Sequence, residues 1–399
     1  MLPNGWKKVT LGGVCEKIGS GSTPKGGREV YLTSGIPIIR SQNVLNGFLN
    51  LQDVAYISEE QHEKMKGTWV YPNDILLNIT GASIGRSCVV PQNVKTANVN
   101  QHVCIIRLKN SANSEYVCNV ILSDEFQKQI ELLSVGGGRQ GLNFQQIASM
   151  QIVLPPIEEQ KKIATTLSVW DSAIEKMEKL IDAKESLLTE YGKELFGRTE
   201  QKQNENWSTI ALSDVLNEHG DKSTGKEEVF SVSVHKGLVN QIEHLGRSFA
   251  AKDTSNYNRV HYGDIVYTKS PTGDFPLGIV KQSLIKEDVI VSPLYGVFTP
   301  KTFELGAILD FYFSSPINAN NYLHPVAQKG AKNTINITNK KFLSAKLRLP
   351  IDIKEQKKIA QFVQTTKKEM AVLQEVLENY KKQKQGLMQK LLTGQWRVK

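Results

Sequence analysis

The chain has 399 residues, of which 40% are hydrophobic and 22% are charged, and its formal net charge is +9. This length suggests two globular units, and a sequence pI near 9.1 makes nucleic acid a natural partner. No apolar run reaches the roughly 20 residues that span a bilayer, no secretory leader opens the chain, and the four cysteines have no paired spacing, so we expect a soluble cytoplasmic protein without disulfides, membrane insertion or export.

The first half begins with short β-branched stretches separated by Gly, Asn, Pro and Ser, which is typical of a mixed, mainly antiparallel β domain. Helices are predicted over 58–65, where Ser58 is a suitable N-cap, and over 115–133. The predicted strands are 9–11, 36–40, 53–57, 74–79, 87–90, 102–108 and 152–154.

Four loops of this half combine glycine with hydroxyl, amide or cationic side chains. Residues 19–28 and 80–86 offer donors that suit phosphate oxygens, 40–43 can contact base edges, and 136–141 follow the second predicted helix. One such loop is usually an ordinary connection, but four together favour DNA binding. The candidate contacts are Ser22, Thr23, Lys25, Arg40, Gln42, Asn43, Thr80, Ser83, Arg86, Arg139 and Gln140.

The second half restarts at Trp207, in step with Trp6, and is predicted to repeat the fold with different loops. Residues 220–226 resemble a phosphate-binding P-loop, but Glu227 stands where Mg²⁺ coordination requires Ser or Thr. No acidic residue lies between Asp310 and Asp352, so the lysines there are candidate phosphate ligands. The candidate contacts of this half are Lys222, Ser223, Lys236, Lys269, Ser270, Lys329, Lys332 and Asn333.

Two long helices are predicted after prolines that cannot continue inside a helix, and both begin with the motif Glu-Gln-Lys-Lys-Ile-Ala, at residues 159–164 and 355–360. Apolar residues then recur at heptad spacing in both helices. We predict antiparallel pairing, with Ile163 near Leu391 and Lys384 over the indole of Trp170. The predicted seam residues are Ile163, Leu167, Trp170, Ile174, Ile181, Leu188, Leu195, Ile359, Val363, Met370, Leu373, Leu377 and Leu391.

Several motifs of common enzymes are not found in the sequence. It contains no H-E-x-x-H, C-x-x-C or methyltransferase N-P-P-Y motif, and the seven histidines show no metal-ligand spacing. We therefore predict no catalytic residue, metal ligand or cofactor. A coiled-coil scaffold that binds only proteins and a stand-alone DNA-modifying enzyme remain as alternatives.

Several short motifs, in this order within a two-fold repeat, resemble the specificity subunits of type I restriction-modification systems over nearly the whole chain. They lie at residues 21–24, 35–37, 39–43, 81–86, 154–160 and 386–394. The resemblance implies an α+β fold with two mixed α/β target-recognition domains, separated by two long antiparallel coiled-coil helices in a pseudo-two-fold repeat. The implied boundaries are 1–157 for the first domain, 158–198 for the central helix, 199–353 for the second domain and 354–399 for the C-terminal helix.

The resemblance also implies a function in phage defence. Each domain of such a subunit reads one half of a bipartite sequence in double-stranded DNA, while the helices set the spacer and dock two modification subunits, which methylate adenine. Two restriction subunits join the full complex. The specificity subunit itself is implied to be non-catalytic, with no cofactor.

Overall fold

The computed structural model describes residues 2–24, 30–134, 141–197, 205–242, 253–329 and 335–398. The chain divides into two compact units, which are described separately below. The first unit is formed by Met1–Glu178 and Glu375–Lys399, and the second by Lys179–Gln374. Both units combine sheets and helices, as predicted. Within the described ranges, no helix has the length and apolar character needed to cross a membrane.

The first unit contains two four-stranded sheets and a terminal strand pair. The pair is antiparallel and joins β1 (Lys7–Thr10) to β10 (Gln151–Leu154). One sheet is wholly antiparallel, in the order β2 (Cys15–Ser20), β9 (Val103–Leu108), β6 (Ile75–Asn78) and β7 (Ser87–Val89). The other has the order β4 (Ala55–Ile57), β3 (Ile36–Ile39), β8 (Ala97–Val99) and β5 (Trp69–Val70), with a parallel pair at β3 and β8.

Two predictions for the helices of this unit have different outcomes. Ser58 caps α1 (Glu59–Lys64), as predicted, because its side chain accepts from the Gln61 amide at 3.2 Å. The single helix predicted over 115–133 is wrong: it is split into α2 (Ser114–Leu122) and α3 (Asp124–Ser134). Ser123 has an extended backbone with ψ 150°, and its hydroxyl donates to the Val120 carbonyl at 2.6 Å, which ends the first helix. A short helix, α4 (Phe144–Ser149), and the first long helix, α5 (Ile157–Phe196), follow.

The second unit repeats the terminal strand pair and one of the two four-stranded sheets. Its strand pair joins β11 (Trp207–Ala211) to β22 (Lys346–Pro350), and its four-stranded sheet has the order β12 (Leu216–Glu218), β19 (Gly296–Pro300), β16 (Ile265–Thr268) and β17 (Ile279–Gln282). Smaller pairs are β13 (Phe230–Ser233) with β14 (Gly237–Asn240), β15 (Asn258–Val260) with β18 (Val289–Val291), and β20 (Gln328–Lys329) with β21 (Ile335–Asn336). The helices are α6 (Phe303–Phe313), α7 (Pro316–Leu323), α8 (Asn339–Ser344) and the second long helix, α9 (Ile353–Leu392). The predicted internal repeat of the fold is confirmed.

Each unit contains one half of α5 and one half of α9, and the two halves run antiparallel. In the first unit, Glu178 lies 2.9 Å from the ammonium of Lys381, and Asp171, further back on α5, accepts from Lys384, further along α9. In the second unit, the ammonium of Lys184 lies 2.6 Å from Glu369. The antiparallel prediction is therefore confirmed within each unit.

The predicted seam residues form the inner faces of the two helices. Ile163 and Leu391 belong to one hydrophobic cluster, as expected from antiparallel pairing. Ile163, Leu167, Ile181, Leu188, Ile359, Val363, Leu377 and Leu391 are buried, and Trp170, Ile174, Leu195, Met370 and Leu373 are half-buried.

The predicted contact between Lys384 and the Trp170 indole is wrong. The Lys384 ammonium donates to the Asp171 carboxylate, one residue further along α5. Trp170 instead packs edge-on against Tyr380, with ring centroids 5.6 Å apart. A carboxylate carries a full negative charge, whereas an indole face offers only a quadrupole, so the ammonium binds the carboxylate.

The glutamine of the repeated motif anchors each long helix. The Gln160 side chain is fully buried, donates to the Pro155 carbonyl at 2.8 Å and accepts from the Asn113 amide at 2.8 Å. Gln356 is 4% exposed and makes the same kind of contacts, to the Pro350 carbonyl at 2.9 Å and from the Thr302 hydroxyl at 2.8 Å. Asn113 and Thr302 are themselves the N-caps of α2 and α6. One buried amide therefore joins a strand end, a helix cap and the start of a long helix in each unit.

Candidate nucleic-acid interface

In the first unit, the end of strand β6 is hydrogen-bonded to the loop that carries Arg40. Asn78, the last residue of this strand, is fully buried. Its side-chain amide donates to the carbonyls of Ser41 and Val44, at 2.8 and 3.4 Å. These bonds place the turn at 41–43 directly beside the start of the 80–86 loop.

Two further hydrogen bonds bring the other polar loops to the same place. The Thr80 hydroxyl lies 2.7 Å from Nδ1 of His102, and the Thr23 hydroxyl donates to the Gln101 side chain. Gly21 makes this approach possible, because a Cβ at that position would lie 1.6 Å from the carbonyl oxygen of Val99. Residues 20–24, 40–43, 80–86 and 100–102, which are far apart in sequence, are therefore neighbours in the fold.

The residues at 40–43 have different roles: Asn43 is structural, whereas Arg40 and Gln42 are candidate contacts. Asn43 is 2% exposed; its amide donates to the Asn50 and Asp53 carbonyls, and its oxygen accepts from the Arg40 backbone amide at 3.0 Å. These bonds satisfy the side chain internally, which corrects the expectation that Asn43 contacts DNA. Gln42 is exposed and lies 3.1 Å from the Asp53 carboxylate. One guanidinium N–H of Arg40 donates to the Asp53 carbonyl, at 3.3 Å.

The 80–86 loop presents Arg86. Gly81 and Gly85 have φ of +72° and +89°, a conformation in which side chains are strained, and Gln127 donates to the Gly85 carbonyl at 3.0 Å. Ser83 is half-buried and Arg86 is exposed. No hydrogen bond or ion pair holds the Arg86 guanidinium within the part of the chain that the structure describes. Its five donors are therefore available to phosphate or to a base edge.

Several candidate contacts fall outside the described residues. They are Lys25, Arg139, Gln140, Lys332 and Asn333. The backbone of Lys329 lies in β20, but its side chain is also outside the description. The structure therefore describes only part of the lysine-rich segment that we predicted to bind phosphate.

In the second unit, the loop that resembles a P-loop encloses its own carboxylate. Glu227 accepts from the amide and hydroxyl of Thr224, at 2.9 and 2.7 Å, and from the Ser223 hydroxyl at 3.1 Å. Burial opposes ionisation, but these hydrogen bonds outweigh it and lower the pKa of Glu227 to about 2. The Ser223 hydroxyl is therefore used within the protein, and the Lys222 ammonium lies 2.6 Å from the Asn258 side chain.

The remaining candidates of the second unit are placed on two loops. Lys236 is exposed in the turn between β13 and β14. Lys269 is half-buried, and burial lowers the pKa of its ammonium, with Glu218 acting in the opposite direction. Ser270, beside it, is exposed. Lys236 and Ser270 are open to a ligand, whereas Lys269 is less so.

Three residues of the second unit could together hold a metal ion, although their spacing in sequence gave no such indication. One ligand atom from each of His219, Asp221 and His261 lies within 4.8 Å of the others. His261 belongs to a different strand connection from the other two, so only the fold brings the group together.

Sequence patterns also missed Gln101 and His102. The available signal was the run 98–102, in which every residue except Val99 is polar and which leads from strand β8 to strand β9. Asn98 in this run is fully buried and donates to the Thr68 hydroxyl at 2.6 Å, so composition alone does not separate its structural residues from its candidate contacts.

The chain contains an α+β unit that is repeated once, and its heptad helices pair in each repeat. In the first unit, hydrogen bonds bring the polar loops together. These features define the class of DNA-recognition subunits with two reading domains. A family model described as type I restriction modification DNA specificity domain matches residues 3–185 and 204–379. The chain belongs to this family, and the resemblance found in the sequence is confirmed.

Individual proteins agree with this assignment. The type I restriction enzyme specificity subunits MjaX and MjaVIII of Methanocaldococcus jannaschii are 24% and 23% identical to the chain, over 428 and 433 aligned residues. These alignments cover 100% of the chain and 95% and 94% of the relatives. The crystal structure of a type I restriction-modification S subunit from M. genitalium has the same fold, with a TM-score of 0.65, 16% identity and 98% of both chains covered.

Proposed function

We propose that this chain is the DNA specificity subunit of a type I restriction-modification complex. Residues 1–157 and 199–353 are the two target-recognition domains, and each reads one half of a bipartite sequence in double-stranded DNA. Residues 158–198 and 354–399 are the helices that set the spacer and dock the modification subunits. The bounds of α5 and α9, which begin at Ile157 and Ile353, support this division.

The observation that carries this proposal is the convergence of the loops in the first unit. Four segments meet at one end of the sheets through the bonds of Asn78, Thr80 and Thr23, and each contributes a polar or cationic side chain. Gln42, Arg86 and Gln101 are exposed there. Amide and guanidinium groups make paired hydrogen bonds to bases and phosphates, so one surface can combine positioning with reading.

The chemistry of the complex belongs to the partners under this proposal. Two modification subunits transfer the methyl group to adenine, two restriction subunits join in the full complex, and the chain itself is a non-catalytic cytoplasmic protein. Its formal net charge of +9 supports a DNA partner. The C-terminal segment 354–399 is the most basic part, with 11 Lys and Arg against 4 Asp and Glu.

Mapping of methylated adenines tests the proposal. In cells that express the chain with its modification subunits, we expect one two-part sequence with a fixed spacer. Arg86→Ala should relax the sequence in one part only, because the other part is read by the other domain. Lys64→Ala, an exposed lysine on α1 outside the loops, is the matched control. Methylation at a sequence that does not depend on this chain would indicate a scaffold and overturn the proposal.

A second experiment tests the helices as the element that sets the spacer. Seven residues inserted in α5 after Ile181 and in α9 between Met370 and Leu373 preserve the heptad register. They lengthen each helix by about 10.5 Å, which corresponds to about 3 base pairs along one strand. The two recognised parts should stay the same while the spacer grows. An unchanged spacer in a folded, active variant would show that the helices do not set the distance.

A further inference from the structure

We propose that His219, Asp221 and His261 of the second unit form a binding site for a divalent metal ion of the Zn²⁺ type. Oδ2 of Asp221 lies 3.7 Å from Nδ1 of His219 and 3.1 Å from Nε2 of His261. Bonds of 2.0–2.2 Å to a tetrahedral ion place ligand atoms about 3.4 Å apart. The three atoms therefore surround a point where an ion fits after small side-chain movements.

The remaining ring nitrogen of each histidine is held by a carboxylate. Nε2 of His219 lies 3.0 Å from Oδ2 of Asp264, and Nδ1 of His261 lies 2.8 Å from Oδ1 of Asp288. Metal-binding histidines commonly donate their other N–H to a carboxylate, which fixes the tautomer and directs the free lone pair to the ion. Both rings have this arrangement: the carboxylate binds Nε2 of His219 and Nδ1 of His261.

An unsatisfied atom at the same point independently indicates a ligand. Nδ1 of His219 is buried and has no hydrogen-bond partner. Buried polar groups are normally paired, and a metal ion would satisfy this nitrogen. The side chain of Asp221 is 52% exposed, so an ion could enter from solvent and keep a coordination position open.

The local charge also favours a cation. The carboxylates of Asp221, Asp264 and Asp288 surround the two rings, whereas the nearest cation in an ion pair with them is Arg259, 3.6 Å from Asp288. At the equivalent turn of the first unit the aspartate has a different partner: Arg107 donates two hydrogen bonds to Asp74, of 2.8 and 2.7 Å. A guanidinium therefore lies beside this aspartate in the first unit where an imidazole lies beside it in the second, and among the described residues a cluster of this kind is found in the second unit.

A bound ion would crosslink two segments of the second unit. His219 and Asp221 follow strand β12, and His261 lies in the turn between β15 and β16. The loop that contains Lys222 begins directly after Asp221, so the ion would restrict its motion. The inference concerns metal binding and holds whether or not this loop contacts DNA.

The test uses the full-length chain without affinity-tag histidines, after removal of metals by a chelator. Titration with Zn²⁺ should show one ion per chain with micromolar or tighter affinity, and Co²⁺ should give the visible absorption of a four- or five-coordinate site. His219→Gln, His261→Gln and Asp221→Asn should each weaken binding at least tenfold. Asp288→Asn, which removes a positioning residue, should weaken it about 10- to 100-fold.

His235→Gln is the matched control, because His235 is an exposed histidine of the same unit outside the cluster; it should leave the affinity unchanged. Circular dichroism checks that each variant is folded. X-ray absorption of the Zn²⁺-loaded wild-type chain should show two imidazole ligands, a result that does not depend on any variant. The proposal is overturned if the wild-type chain does not bind Zn²⁺, or if the His219→Gln, His261→Gln double variant binds it equally well.

Discussion

Replacing Gln160 by alanine tests whether the repeated motif is a structural anchor. The fully buried amide donates to the Pro155 and Ser111 carbonyls, at 2.8 and 3.3 Å, and accepts from the Asn113 amide. Alanine would leave a buried donor and acceptors without partners, at about 1–3 kcal/mol each when water cannot reach them. We expect a loss of about 3 kcal/mol in the free energy of unfolding of the first unit.

Calorimetry and hydrogen exchange measure this effect and locate it. For a domain of this size, about 3 kcal/mol corresponds to a Tm lower by about 6–12 °C. Exchange should accelerate in the first unit, at α2 and the start of α5. Gln356→Ala should produce the equivalent loss in the second unit, since its amide joins the Pro350 carbonyl and Thr302 in the same way.

The neighbouring lysines of the motif provide the controls. Lys162 and Lys358 are exposed, so their replacement by alanine should change stability by no more than about 0.5 kcal/mol. The reasoning is refuted if Gln160→Ala is no more destabilising than Lys162→Ala, or if exchange accelerates mainly in the second unit.

Three further variants probe the loops and the turns. Arg40→Ala should relax the choice of base in one half of the target by about 1–3 kcal/mol, measured by competition between DNA duplexes, because one bidentate contact is lost. Arg107→Ala should destabilise the first unit by about 3 kcal/mol in denaturant unfolding, because Asp74, 2% exposed, would remain as an unpaired buried charge. Glu227→Gln should destabilise the second unit most above pH 4.5, and the difference from wild type should shrink as the pH falls towards 2, because the folded-state pKa is about 2 against an ordinary value of 4.5.

Each of these variants has its own contradicting result. If Arg40→Ala weakened all duplexes equally, Arg40 would be a phosphate contact rather than a base contact. Equal stability of Arg107→Ala and the wild-type chain would show that the Asp74 pair contributes little. A pH-independent difference for Glu227→Gln would mean that the carboxylate is not held in its ionised form by the loop.

Sequence patterns predicted the elements that depend on local or periodic signals. Heptad spacing gave both long helices, and Ser58 correctly marked the start of α1. The break at Ser123 was missed because the apolar pattern continues through it, while one extended residue is enough to end a helix. Strands β2 and β8 were missed because glycine and asparagine, both poor strand formers, interrupt them.

The residue types of the candidate interface were predictable from the sequence, but their position on one common surface was not. Arg86 and Gln42 stand out in sequence, whereas their common surface depends on bonds such as Asn78 to Ser41, which join residues 37 apart in the chain. The same limit applies to the metal-binding cluster, since His261 reaches His219 only through the strand order of the second unit. In both cases contacts between residues far apart in the chain determine which side chains come together, and the spacing of residues in the sequence does not reveal these contacts.

A shared turn in the two units shows how one fold can carry two different surfaces. Asp74 accepts from the Tyr71 amide at 2.8 Å, and Asp264 accepts from the His261 amide at 2.7 Å, each after a residue with positive φ, Asn73 or Gly263. The backbone geometry is therefore the same, while the partners of the two carboxylates differ: a guanidinium in the first unit, and a threonine hydroxyl with an imidazole in the second. Because the turn is stabilised by its own backbone bonds, the groups around it can change without loss of the fold. Two domains built in this way can keep one architecture and still recognise different partners.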